Sequence, residues 1–198
     1  MKREENVKRF EELLSSVKRN GMDRLMDFIR KSDFYTAPAS TRFHSSFEGG
    51  LLHHSLQVYD CLRRKKEEAQ VVWADTMQKL DDESLILVAL LHDICKTYYY
   101  TVEMRNKKDE NGRWIQVPFY TVDDKVPYGH GEKSAMMVEE YIKLKPVERY
   151  AIRWHMGFSE PKELYSALGA AIRKYPLCMA LHEADLEATY LLENDNGN

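Results

Sequence analysis

A few side chains in this sequence are of types that bind divalent cations, and each stands in apolar company. A helix from Leu51 to about Lys66 opens with Leu51-Leu52-His53-His54-Ser55-Leu56. A second, from about Asp82 to Cys95, ends with Ala89-Leu90-Leu91-His92-Asp93-Ile94-Cys95-Lys96. An ionised carboxylate at the end of so apolar a helix costs several kcal/mol to bury unless it is paired or bound to a cation. Neighbours on a helix point about 100° apart, so His92 and Asp93 can flank one object lying across the axis. A divalent metal fits, because imidazole and carboxylate both ligate it. Two protein ligands rarely suffice. Asp185, in Leu181-His182-Glu183-Ala184-Asp185-Leu186, again places an acid inside an apolar helix, and His54 lies on the helix before the His-Asp pair. His54, His92, Asp93 and Asp185 would bring four ligands from three helices around one ion, a known device of all-α folds. His53 competes with His54 for that place.

The elements that must position these residues follow from periodicity. Val7, Phe10, Leu14 and Val17 recur at helical spacing over residues 3–19. Gly21 breaks that helix, and Leu25, Met26, Phe28 and Ile29 suggest a second, short one. Lys31 to Phe47 has no period and reads as an ordered loop whose Phe34, Tyr35, Phe43 and Phe47 need burial. Gly49-Gly50 releases the helix that carries His54, and Asp81 or Asp82 caps the helix that leads to His92.

The period then changes. Tyr98–Val102 and Trp114–Tyr120 are rich in aromatic and β-branched residues and flank Asp109-Glu110-Asn111-Gly112, a turn signal, so a β-hairpin is expected over about residues 97–121. Its aromatic residues are expected to pack on the bundle rather than to stack a nucleobase. Helices resume at Glu132–Leu144, Pro146–Trp154 and Pro176–Leu192, with both prolines suited to first turns. Asp195–Asn198 should fray. No repeat or linker divides the chain, which reads as one all-α domain over residues 1–198, with 1–33 as a helical N-terminal extension.

Composition narrows the function classes. The 198 residues are 43% hydrophobic and 31% charged, as in a soluble globular protein. With 29 basic against 32 acidic residues the net charge is −3, too weak a field to hold long nucleic acid or an anionic membrane by charge alone. Arg63-Arg64-Lys65-Lys66 is answered at once by Glu67-Glu68 and reads as a solvated helix end. Cys61, Cys95 and Cys178 are scattered and odd in number, which fits reduced thiols and a cytoplasmic location. The longest apolar run, Leu85 to Leu91, is far short of the ~20 residues of a membrane span.

His54, the His92-Asp93 pair and Asp185, in that order on helices, resemble the signature of the HD-domain superfamily of metal-dependent phosphohydrolases. The similarity spans about Pro38 to Tyr190 and is most specific in Gly49-Gly50-Leu51-Leu52-x-His54-Ser55 and Leu90-Leu91-His92-Asp93-Ile94-x-Lys96. The opening is closest to the HD domain of bacterial 3′–5′ exoribonucleases that carry a separate OB-fold, although no OB-like strands precede it here. The resemblance implies a helical bundle of five or more helices around a metal, and it selects His54 over His53, because the ligand stands immediately before Ser or Thr. It also implies that His130 and His155 hold a second ion with Asp93 bridging, although Met156 stands where many two-metal members double the histidine.

The expected chemistry follows. A divalent ion (manganese, iron, magnesium, nickel or zinc; one or two per chain) lowers the pKa of its water from 15.7 towards ~7 and polarises a phosphoryl oxygen. Lys96, a turn beyond His92, would neutralise a phosphate oxygen or hold Asp93 ionised, while Asp93 could accept a proton from the attacking water. Arg42 and His44, in the loop before the site, are candidate contacts for substrate phosphate. The expectation is hydrolysis of a phosphomonoester or phosphodiester in a small, nucleotide-like compound. The alternatives are a catalytically silent metal-containing module that binds a nucleotide or a partner, and a component of an exoribonuclease. The apolar face of the first helix could pack inside the monomer or against another copy of the chain.

Overall fold

A computed structural model of the chain describes residues 2–68 and 71–193. The expected fraying of Asp195–Asn198 lies outside the described residues. Helices α1 (Lys2–Ser16) and α2 (Met22–Lys31) form on either side of Gly21. The apolar face of α1 is used within the chain: Phe10 and Leu14 are fully buried, and the helix packs on α3 (Gly50–Glu67) and α5 (Asp82–Leu91). Helix α3 is the hub, bearing on α1, α5 and α9 (Leu177–Glu187). Every residue of α5 from Ser84 to Leu91 is buried, as expected of a helix that is apolar all round. Of the two candidate caps Asp81 is used: its Oδ1 accepts from the Ser84 amide at 2.9 Å.

Helix α5 stops at Leu91, four residues short of the expected end. His92 keeps helical angles, Asp93 turns to φ −111° and ψ 18°, and Ile94–Lys96 forms a tight 3₁₀ turn. His92 and Asp93 therefore project from a bend, not from adjacent positions on one helix.

Two helices have no counterpart among the expected elements. Among its described side chains α4 (Val71–Gln78) buries only Met77 deeply, and it leaves Val72 77% exposed, so they form no apolar stripe. α8 (Tyr165–Lys174) buries only Leu168 and Ala171 and is rich in alanine, which gives no contrast between faces. α6 (His130–Glu139) and α7 (Pro146–Arg153) precede α8 in the second half, and α9 continues into a π turn at Ala188–Leu192. Pro146 occupies a first-turn position as expected, whereas Pro176 sits one step earlier, at the cap.

The hairpin forms where expected, with longer strands than the runs Tyr98–Val102 and Trp114–Tyr120 suggested. β1 (Tyr100–Lys108) and β2 (Trp114–Val122) pair antiparallel from Tyr100 opposite Val122 to Lys108 opposite Trp114. It packs on the bundle only at its root, where Tyr100 donates its hydroxyl to the Ala39 carbonyl at 3.0 Å and the Tyr99 ring meets His130. Every β1 residue beyond Tyr100 is exposed, and Trp114 is 69% exposed. Glu103, Arg105 and Lys107 charge one face of β1, and Asn106 and Lys108 end the apolar run of Val102 and Met104 on the other, so neither face is apolar enough throughout to lie on the helices. The loop before α3 also departs from expectation. Phe34 is buried and Tyr35 partly so, but Phe43 and Phe47 face solvent, with the Arg42 guanidinium 5.0 Å above the Phe43 ring.

One buried charge ties the helices together. Glu148, fully buried on α7, accepts from Arg19 at 2.5 and 2.7 Å, from the Ser84 hydroxyl at 2.5 Å and from the Lys145 amide at 2.7 Å. It joins the α1–α2 connection, α5 and α7. Replacing Arg19 by Met leaves that carboxylate uncompensated, and urea denaturation should show a loss of about 3–5 kcal/mol.

Asp81 supplies an acid-sensitive counterpart. Burial pushes its carboxyl up, but the Lys145 ammonium and the Ser84 amide and hydroxyl outweigh this and hold it at about 2. A carboxyl lowered on folding stabilises above its unfolded pKa, and that stability is lost as pH falls through the folded value. Asp81→Ala should therefore cost about 1 kcal/mol at neutral pH and nothing below about pH 2, measured by unfolding across that range.

Candidate metal centre

His54 is in the first turn of α3, where the preceding loop lies unusually close. A Cβ on Gly50 would stand 1.9 Å from the Ser45 carbonyl oxygen, so only glycine lets the two strands of backbone meet. That approach lays His44 and Ser45 over the start of α3, with the His44 and His54 rings 4.9 Å apart. His92 and Asp93 arrive from the bend after α5, His155 from just beyond α7, and Asp185 from α9.

The orientation of three imidazoles is set from behind. Nδ1 of His54 meets Glu193 Oε1 at 3.0 Å, Nδ1 of His92 meets the Ala89 carbonyl at 2.9 Å, and Nδ1 of His155 meets the Ile152 carbonyl at 2.7 Å. Carbonyl and carboxylate oxygens can only accept, so each Nδ1 carries the proton, and a neutral ring then presents its lone pair at Nε2. All three Nε2 atoms are buried without a hydrogen-bond partner, and so is Asp93 Oδ1. Unsatisfied buried polar atoms are rare enough that four in one cluster need a physical cause.

The donors converge. His54 Nε2 lies 3.1 Å from Asp185 Oδ1 and 3.8 Å from Asp93 Oδ2; His92 Nε2 and His155 Nε2 lie 3.5 Å from Asp93 Oδ2 and Oδ1. Two donor sets, His54 with His92 and Asp93, and His92 with His155 and Asp185, each fall within 4.8 Å. Ligands about 2.1 Å from an ion stand about 3.0 Å apart along an octahedral edge and about 3.4 Å along a tetrahedral one. The separations match such edges, although the atoms are out of line for hydrogen bonds with each other. The residues fit a divalent cation.

Charge is arranged for the same task. Burial pushes the Asp93 carboxyl up, but Lys96, His92 and His155 outweigh it and hold the group well below the usual carboxylate range. Lys96 Nζ is 2.7 Å from Asp93 Oδ2, so it serves Asp93 across the 3₁₀ turn and does not follow His92 along a helix face. Burial lowers His54, yet Asp185 and Glu193 raise it to about 10, so a cation loading here displaces a proton. Asp185 is held low in turn, burial being outweighed chiefly by His54. His44 is different: burial and the neighbouring His54 lower it to about 4, leaving a neutral ring at physiological pH with a buried, unpartnered Nε2.

The remaining histidines take other places. His130 turns its Nδ1 to the Cys95 thiol at 3.4 Å and packs on Tyr99, and it joins neither donor set. His182 bonds the His155 carbonyl at 2.7 Å and presses on Gly157, where a Cβ would lie 2.4 Å from its ring; it braces His155 from behind. His53 is half-buried beside Phe47, and Arg42 is exposed.

Glu193 is the residue sequence reasoning missed. It is 7% exposed, accepts from the Ser45 hydroxyl at 2.7 Å, and holds the His54 ring. The last expected helix ends at Leu192, one residue before it, so nothing local announced it. Carboxylates behind ligating imidazoles fix the tautomer and raise basicity. Glu193→Ala should weaken divalent-cation binding about 10–100-fold, with Glu193→Gln, whose amide oxygen still accepts, retaining most of it in chelator-competition titrations.

No curated protein and no solved structure gives a significant match to the chain. The HD domain does match, over residues 51–189, a region that opens at the start of α3 and closes just past α9 and so encloses the bend at His92-Asp93. That is well over half of the sequence, in a helical fold with a small hairpin, and the chain belongs to the HD-domain family, the superfamily of metal-dependent phosphohydrolases.

Proposed function

We propose that the protein is a metal-dependent phosphohydrolase that cleaves a phosphomonoester or phosphodiester bond of a small, nucleotide-like compound. The observation that carries this reading is the cluster of buried, unpartnered donors, His54, His92 and His155 Nε2 with Asp93 Oδ1, beside Asp185. Those five residues would hold one ion. A divalent ion there would supply an activated water and an electrophile for a phosphoryl oxygen.

The chain's own groups would do the rest. Asp93 is kept ionised by Lys96, and a carboxylate held so low is a weak proton acceptor, so we assign it to holding the cation before accepting a proton. Lys96 is 12% exposed, and its ammonium can offer charge to a developing phosphate oxygen while remaining beside Asp93. The neutral His44 ring, 4.9 Å from that of His54, can contact the ester, and Arg42, two residues earlier on the same loop, can meet a second phosphate oxygen. A second ion would need His130 to leave Cys95 for Asp93, and one ion is the reading we favour.

Elemental analysis after gel filtration, together with phosphate release from a panel of nucleotides and cyclic nucleotides, tests the proposal. Wild-type protein should retain a divalent metal and hydrolyse at least one member, and chelation should abolish turnover. Asp93→Ala should lose both metal and activity. Lys96→Met should keep the metal and lose about 10²–10³-fold in kcat. Full activity in metal-free protein would overturn the reading, and metal retained without turnover across the panel would make the chain a silent metal-holding module.

A further inference from the structure

The hairpin leaves one edge open, and its backbone pattern can be read from two bonds. The Asp123 amide donates to the Tyr99 carbonyl and the Asp109 amide to the Arg113 carbonyl, both at 2.9 Å. In an antiparallel pair, residues alternate between exchanging hydrogen bonds with the partner strand and pointing their N–H and C=O away from it. Thr101, Glu103, Arg105 and Lys107 therefore face β2, while Tyr100, Val102, Met104, Asn106 and Lys108 turn their backbone groups outward. On β2 the outward set is Trp114, Gln116, Pro118, Tyr120 and Val122. Pro118, at the middle of that edge, has no N–H, so β2 is a blunted edge, as proline makes it. β1 keeps every outward donor, and its Val102 and Met104 are 54% and 57% exposed. Two strands alone are marginal in water, and an open edge is a template for another strand.

We propose that β1 is the homodimer interface of this protein, pairing antiparallel with β1 of a second copy to make a four-stranded sheet. The charges choose the partner and the register. A two-fold axis can pass through an outward residue or through one that faces β2, but on Glu103, Arg105 or Lys107 it would set that charge against its own copy. Centred on Met104, it sets Glu103 opposite Arg105 of the second copy, and Arg105 opposite that copy's Glu103. These side chains are 58% and 51% exposed and share one face, with Arg105 also lying 3.8 Å over the Phe119 ring. Opposite charges directly across a ladder are favourable and like charges unfavourable. Centred on Asn106, the pairing would oppose Arg105 to Lys107 and Glu103 to Asp109; centred on Val102, it would give Glu103 and Arg105 no charged partner. The Met104 register also brings Val102, Met104 and Pro118 of both copies onto one continuous face.

The test is the mass of the full chain in solution, by sedimentation or light scattering. Wild-type protein should show twice the 23.3 kDa of one chain. Met104→Pro removes one outward N–H and leaves the pairing with β2 intact, so the mass should halve with unchanged circular dichroism and metal content. Glu103→Arg should also halve it, and the exchange E103R/R105E should restore the dimer. A wild-type monomer up to millimolar concentration overturns the proposal. So does a dimer that survives Met104→Pro, or a double exchange that stays monomeric. None of these outcomes depends on the protein being a hydrolase.

Discussion

Bringing three imidazoles and two carboxylates to one point among buried helices is the constraint that shapes the rest of this structure. Each group sheds its water, a cost that grows with every charge and is met only by partners. The chain meets part of it with its own groups. Backbone carbonyls of Ala89 and Ile152, with the Glu193 carboxylate, take the Nδ1 protons, and Lys96 faces Asp93. The atoms turned inward remain unpartnered, and that asymmetry, satisfied behind and open in front, is what suits the cluster to a cation.

The surrounding fold serves this geometry. The end of α5 gives up helical regularity so that His92 and Asp93 enter from a bend and Lys96 returns to the same carboxylate. Gly50 and Gly157 admit neighbours that any side chain would exclude, one bringing the loop of His44 and Ser45 over His54, the other seating His182 behind His155. Away from the site, Glu148 with Arg19 and Ser84 anchors the helices that carry these residues. No helix among the described residues is long and apolar enough to cross a membrane.

The candidate donors were legible because acids and imidazoles inside apolar segments are conspicuous, and the apolar face of α1, the core helix α5 and the hairpin turn were legible from period alone. α4 and α8 were not, since helices that bury one or two residues leave no stripe. Phe43, Phe47 and Trp114 looked like core by their type, yet they face solvent because exposure is decided by which surfaces are already covered.

What the sequence determined by itself is chemical and local: which residues can ligate a cation, which segments are helical, and which family carries that order of motifs. Only the tertiary structure decided that His155 joins the cluster while His130 turns to Cys95, that Lys96 faces Asp93, and that Glu193 stands behind His54 from 139 residues away. Contacts between residues so far apart leave no periodic trace, because they depend on how helices cross rather than on how each one is wound.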